Sequence, residues 1–262
     1  MSNGTIQGRG AFIANLSSRL GRRAPSAAPP AHPFRGAPDF YKAIHPTTEE
    51  KIKLFVDSWT ALTGKVLVVD EAEAKEKIAD WLVEVAKELE VTHVSRWEHE
   101  GLKALGLDEA LIRAGIGVVP WEPVDAEAPI PGETVKPVPP LPEESVWRTR
   151  SEPLQRTERC QLGVVWPDYA IANTSTLVLQ CSPRRGRSVS LLTRILFAVF
   201  RADQLVYRMG EAFAEITKGK TSADQYASSL NLITGPSRSA DIENDLTIGI
   251  HGPGKVYAVI IK

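Results

Sequence analysis

The sequence predicts an α/β fold, a parallel sheet with flanking helices preceded by an N-terminal helix. Between residues 52 and 121 helical periodicity alternates with short β-branched runs, the pattern of strands joined by right-handed helical crossovers. From Ser151 onward several runs are too continuously apolar for half-exposed strands and read as a buried central sheet. Fourteen of the 19 prolines fall in two stretches, Pro25 to Pro46 and Pro120 to Pro142. Proline fixes φ, lacks the N–H and pushes the residue before it out of the α region, so both stretches read as connectors. The expected division is a basic N-terminal helix (1–23), a proline-rich connector (24–47) and an α/β domain (48–262) interrupted by an acidic proline-rich connector (122–146).

Each element has its own warrant. Phe12, Ile13, Leu16 and Leu20 form one stripe of a helix over 6–20 whose charges, Arg9 and Arg19, are basic and are continued by Arg22 and Arg23. Such a segment is either a helix packed on the main body or a docking arm for a partner. Ile52, Phe55, Val56, Trp59 and Leu62 predict a second helix, and Lys65–Val69 a strand bounded by Gly64 and Asp70. Ile78, Trp81, Leu82, Val85 and Leu89 line a helix between Glu71 and Glu90. A strand near 92–95, a helix around 108–113 and a strand at 117–121 follow. Further strands are expected at 162–166, 176–180, 195–200, 230–234, 246–250 and 256–261, with one helix whose stripe runs from Leu205 through Met209 and Phe213 to Ile216.

Composition narrows the function. The 262 residues carry 43% hydrophobic and 24% charged side chains and a net charge of -1, which excludes a disordered chain and gives no broad electrostatic case for nucleic acid or a membrane surface. Cys160 and Cys181 are too few for a four-thiolate cluster or a structural zinc site, so no metal is expected on this chain. The first 23 residues lack an apolar core of the secretory kind, and the most apolar stretch, 191–200, is broken by Arg194 and is too short to span a bilayer; a cytoplasmic location is expected.

Familiar motifs fail. Gly219-Lys220-Thr221 lacks the glycine that a phosphate loop needs five positions earlier, where Ala214 stands, and no G-x-G-x-x-G occurs. His32, His45, His93 and His99 have no ligand spacing and receive no role. Three signals survive. Arg184, Arg185 and Arg187 surround Gly186 and precede Ser188, in a stretch to Arg208 with six arginines and one acid, Asp203. This is either an anion site, with guanidinium forks and close backbone approach, or a basic surface loop paired with the acidic connector. After the strand ending at Thr234, Gly235-Pro236-Ser237-Arg238 offers donors at what is expected to be a carboxyl strand end. Ser239 is expected to cap a short helix over 240–244, in which Asp241 and Glu243 do acid–base work or merely favour its N-terminus. His251 sits in a Gly249–Pro253 turn between two strands.

The segments GTIQGRGAFIANLSSRLGR, GRSVSLL and LNLITGPSRSADIENDLTIGIHGPGKVYAVII together resemble the lactate-utilisation protein C (LutC) family, built on the LUD domain. The resemblance runs nearly end to end and is most specific from Cys160 to Ile261. It implies a Rossmann-like sheet similar to the NagB/RpiA/CoA-transferase-like superfold. It also implies a component, itself without cofactor, of a system that oxidises L-lactate to pyruvate and allows growth on lactate. Iron–sulfur clusters then reside in sister proteins (LutA- and LutB-like). On this reading Arg187, Ser188, Ser237 and Arg238 contact the small anionic substrate, and Asp241, Glu243 and His251 handle protons or orient it. The alternatives are a stand-alone sugar-phosphate or CoA-ester enzyme and a non-catalytic assembly subunit. One departure bears on the choice: where the family has Glu-[Ser/Thr]-Gly-Thr, this chain reads Asn173-Thr174-Ser175-Thr176, an amide that exchanges no proton near neutral pH and a side chain where glycine is usual.

Overall fold

The computed structural model describes residues 7–25, 43–121, 139–240 and 245–262. Residues 1–45 and 46–262 form two compact units. In the first, α1 (Arg9–Arg19) begins after Gly8, whose φ of 76° suits glycine, and Arg19 Nε donates to Asn15 Oδ1 at 3.2 Å.

The second unit is built on a six-stranded, all-parallel sheet. Its strands are β1 (Lys65–Val69), β2 (His93–Trp97), β3 (Gly117–Trp121), β4 (Leu162–Val165), β7 (Ile195–Arg201) and β12 (Lys255–Ile261), in the order β1-β12-β7-β4-β2-β3. Register runs from Lys65↔Tyr257 to Val69↔Ile261 and from Lys255↔Ile195 to Ile261↔Arg201. Phe197 and Phe200, three apart in β7, face opposite sides. Trp81 of α3 (Glu71–Glu88) packs on Phe197 and Tyr257, with ring centroids at 5.2 and 5.5 Å. Phe55 of α2 (Thr48–Ala61) meets Phe200 edge-on at 5.3 Å. Helices therefore cover both faces, which is why these strands are apolar without alternation. A Thr47/Glu50 capping box starts α2.

A second, mixed sheet takes the order β8-β5-β6-β9, from β5 (Tyr169–Ile171), β6 (Thr176–Gln180), β8 (Leu205–Val206) and β9 (Leu230–Ile233). Leu177 and Leu179 join the main core, whereas Val178 packs with Ala212 and Ile216 of α8 (Met209–Thr217), the period-two split of a strand between two layers.

The structure differs from expectation at several points. Residues 246–250 are not a core strand. Only β11 (Thr247–Ile248) forms, paired antiparallel with β10 (Arg238–Ser239), while Leu246, Ile248 and Ile250 are exposed. Gly249, at φ 86°, ends the strand. Ser239 lies in β10 instead of capping a helix, and Asp241 and Glu243 lie outside the described residues. Leu205 belongs to β8, so the helix expected from it begins only at Met209. The strand before Gly235 is β9 of the mixed sheet, so the loop after it does not leave the carboxyl end of a parallel strand. The sequence reading also passed over α4 (Glu100–Ala104), α6 (Glu152–Glu158), α7 (Ser188–Leu191), β5 and β8, all short.

Candidate functional site

The strand order places a reversal at β2. The chain leaves it through α4 and α5 (Leu107–Arg113) to β3 on one side, then returns past it to β4 on the other. Adjacent connections that part on opposite sides open a crevice at the carboxyl edge of a parallel sheet. Here that crevice is a cleft of about 500 Å³ lined by Glu98, His99, Glu100, Ser182, Pro183, Arg184 and Arg185. A second hollow, sharing Ser182, Pro183 and Arg185, continues it toward Lys220 and Tyr226.

Three segments build the cleft. From β2, the Glu98 N–H donates to the Arg184 carbonyl at 3.1 Å, and the Trp97 indole N–H to the Gly186 carbonyl at 2.8 Å. The arginine loop is thereby pinned to the strand end. Ser182 to Arg185 closes on itself as a tight turn, with Ser182 and Arg185 exchanging backbone hydrogen bonds of 3.2 and 3.0 Å. Gly186 is demanded by packing, because a Cβ there would lie 2.0 Å from the Trp121 ring. From β4 the chain runs through Trp166 and Pro167 to Asp168, whose Oδ1 accepts from Arg185 at 2.9 Å and whose Oδ2 accepts from the Gln180 N–H at 2.7 Å. Arg185 thus pairs with Asp168, an acid that follows β4.

His99 completes the cleft. Its ring stacks on Trp166 with centroids 4.9 Å apart, and its Nδ1 accepts the Gly101 N–H at 3.1 Å, capping α4. Burial, and then the nearby Arg185 charge, hold the imidazole below its ordinary pKa. It is therefore neutral near pH 7, and since Nδ1 is an acceptor the ring proton sits on Nε2. Beneath it, Glu98 is held by Arg96 and, at 2.7 Å, by Lys103, while Arg96 also grips Asp108 at 2.7 Å. Burial pushes the Glu98 carboxyl up, but Lys103 and Arg96 outweigh it and leave it below its usual range. Glu98 is thus a fixed anion. What the arrangement offers is cationic and N–H donors for a small anion at a built floor.

The residues singled out in the sequence fall into two places. Arg187, exposed, and Ser188, half-buried, follow Gly186 at the carboxyl edge, where Arg187 precedes α7. Ser237, Arg238 and His251 gather at the opposite edge, before β12: the Ser237 N–H donates to the Pro253 carbonyl at 2.9 Å, the His251 N–H to Ser237 Oγ at 3.2 Å, and Arg238 to the Leu62 carbonyl at 2.9 Å. A hollow of about 370 Å³ lined by Arg194, Gly249 and Lys255 adjoins that edge. A five-residue strand spans roughly 16 Å, so the two groups do not share one small ligand. Sequence reasoning assigned no role to His99, Glu98 and Asp168; the signal available was their place just after the short strand β2 and the apolar run of β4. Among the described residues no group of three or more His, Cys, Asp or Glu side chains is arranged to hold a metal, and no helix is long and apolar enough to cross a membrane.

Comparison with known proteins agrees on kinship. The LUD domain profile matches residues 52–261. Lactate utilization protein C of Bacillus licheniformis is 29% identical over 266 residues, covering 100% of this chain and 99% of the relative. The protein of the same description from Bacillus subtilis is 24% identical over 100% of this chain and 99% of the relative. Among solved structures, a DUF162 family protein from Deinococcus radiodurans aligns with a TM-score of 0.46 and 18% identity, covering 83% of this chain and 100% of that one.

Proposed function

Since the chain belongs to the LUD domain family, we propose that it serves lactate utilisation as the cluster-free component of an iron–sulfur-dependent L-lactate oxidation system, holding the small acid while sister proteins carry the electrons. The names of full-length relatives support the lactate role. Oxidation of lactate to pyruvate releases two electrons and two protons, and a chain with two cysteines cannot by itself hold a four-thiolate cluster to take them, so in this reading sister proteins do.

The observation that carries the reading is the convergence of Arg184, Arg185 and a neutral His99 on one cleft at the switch point of the sheet. In this proposal the carboxylate of the acid lies against the two guanidinium groups and its α-oxygen accepts from His99 Nε2–H. Arg187 and Ser188 flank the same edge. The test is reconstitution of lactate-dependent acceptor reduction from purified components. Omitting this chain, or replacing it with Arg185→Gln, is expected to lower the rate about tenfold or more. Undiminished turnover by the sister proteins alone overturns the reading.

A further inference from the structure

We infer that Gln204 is the positioning residue of the carboxyl-edge cleft: its one amide holds in place the tryptophan on which His99 stacks and ties that wall to the segment bearing Asp168. The described residues that line the cleft do not include Gln204, so its role runs through its neighbours. The inference concerns how the cleft is built and is independent of what enters it; its bearing on turnover rests on the small-acid reading.

β4 and β7 are neighbours in the parallel sheet, with Val165 in register with Ala198. Beyond β4 the chain runs Trp166-Pro167-Asp168, and beyond β7 it makes the short 3-10 turn Ala202–Gln204. The Gln204 amide bridges these two exits. Its Oε1 accepts the Trp166 indole N–H at 2.9 Å and the Arg201 N–H at 2.8 Å. Its Nε2 donates to the Pro167 carbonyl at 2.7 Å and to the Asp168 carbonyl at 3.2 Å. Two donors meet the oxygen and two carbonyls meet the nitrogen, so the amide has one orientation. Turned end for end, it would set N–H against N–H and oxygen against oxygen.

The lever falls mainly on the histidine wall. Asp168 has an anchor of its own, since its N–H donates to the Val178 carbonyl at 2.9 Å, and its bond from Gln204 is the longest of the four. Trp166 depends on Gln204 more directly. Its indole N–H is the one hydrogen-bonding group of the side chain, the residue is buried, and an unpaired buried donor draws the ring toward water. Two neighbours are fitted to the present pose of that ring. His99 stacks on it at 4.9 Å with the planes 14° apart, and Gly101 approaches so closely that a Cβ there would lie 2.7 Å away. Movement of Trp166 therefore carries His99 and the start of α4 with it.

The His99 ring reports that movement, because burial is the largest influence on its protonation, followed by Arg185, with Asp168 and Glu100 opposing. Gln204→Met keeps the length of the side chain and removes its hydrogen bonds. Solution NMR of the full chain with ring-labelled histidine, the His99 signal being identified by its loss in His99→Gln, tests the inference. His99 is expected to titrate below 6.5 in the wild type and to move up toward that value in Gln204→Met, as water reaches the ring. The His251 signal, from the opposite edge of the sheet, should follow the same course in both proteins, which separates a local displacement from general loosening. The Trp166 indole proton, identified by its loss in Trp166→Phe, should exchange about tenfold more slowly in the wild type than in the variant. His99 titrating alike in both proteins overturns the inference. Should Gln204→Met fail to fold, the wild type decides: a protected indole proton supports the inference, and one that exchanges as freely as an exposed tryptophan overturns it. A moved His99 with several-fold slower lactate-dependent turnover supports both readings, whereas a moved His99 with turnover unchanged supports this one and counts against the small-acid reading.

Discussion

The Arg185 guanidinium and the Asp168 carboxylate meet at 2.9 Å, with both side chains largely shielded from solvent. The same carboxylate accepts the Gln180 N–H, so one residue following β4 fixes both a cation that lines the cleft and the start of the loop that carries it. The Arg185 guanidinium also lies over the Trp97 ring at 5.9 Å. Its position is thus fixed by the fold, so that under the proposed function an anion would meet a preorganised cation at a lower ordering cost.

Asp168→Asn keeps an acceptor but removes the charge. It is expected to destabilise the fold by about 1–3 kcal/mol, the range for a charge-assisted hydrogen bond partly shielded from water. It should also weaken anion binding by freeing Arg185. Urea unfolding, read beside calorimetric titration with L-lactate, checks both; unchanged stability together with unchanged affinity would show that Asp168 positions nothing.

Ser175 sits at φ 47° in the β5–β6 turn, fully buried, its hydroxyl without a hydrogen-bond partner among the described residues. The left-handed conformation costs a non-glycine residue about 1–2 kcal/mol, and an unsatisfied buried hydroxyl about 1–3 kcal/mol. Glycine forfeits about 0.5–1 kcal/mol of chain entropy. Ser175→Gly is therefore expected to raise stability by about 1–4 kcal/mol, seen as a higher melting temperature. Ser175→Ala, which removes the hydroxyl and keeps the strain, should gain less.

Acid should weaken the fold through His99. Its pKa is depressed in the folded chain by burial, then by Arg185, so the unfolded chain takes up the proton first. The stabilising contribution is fully present above the ordinary value of 6.5 and is lost as pH falls below it toward the folded value. Denaturant midpoints measured from pH 8 to pH 5 should decline below about 6.5, and the part of the decline that disappears in His99→Gln is the part owed to this ring. An identical profile in the variant would assign the acid sensitivity elsewhere.

Much of the scaffold was legible because its signals are local. KVLVV, GVVPW and TLVLQ are β-branched runs closed by glycine, proline or polar residues, and they form β1, β3 and β6 at the expected bounds. The amphipathic stripe of Ile78, Leu82 and Val85 is the buried face of α3. The mixed sheet was harder to see, since β5 and β8 hold three and two residues and are defined by pairing with strands distant in sequence or short themselves. Residues 246–250 misled because an apolar alternation reads the same whether its apolar side meets a core or the surface.

The site was legible only in part. The arginine loop announced itself by composition, but the placing of Arg185 on the cleft wall depends on Asp168, a residue without local distinction. His99 owes its neutral state and its tautomer to Trp166, Arg185 and Gly101, of which only the last is near in sequence. Ser237 and His251, read as separate signals in two glycine-containing turns, meet at the edge of the sheet away from the arginine loop.

β12 lies between β1 and β7 in the sheet although it comes last in sequence. During translation, then, β1 emerges without its one lateral neighbour among the described residues, and at a ribosomal pace of about 5–20 residues per second it waits roughly ten seconds or more for residues 255–261. Closure of the sheet is a late event in the birth of the molecule, and the nascent chain exposes an unpaired edge of β7 until then, a window in which chaperones or a ready partner would find their purchase.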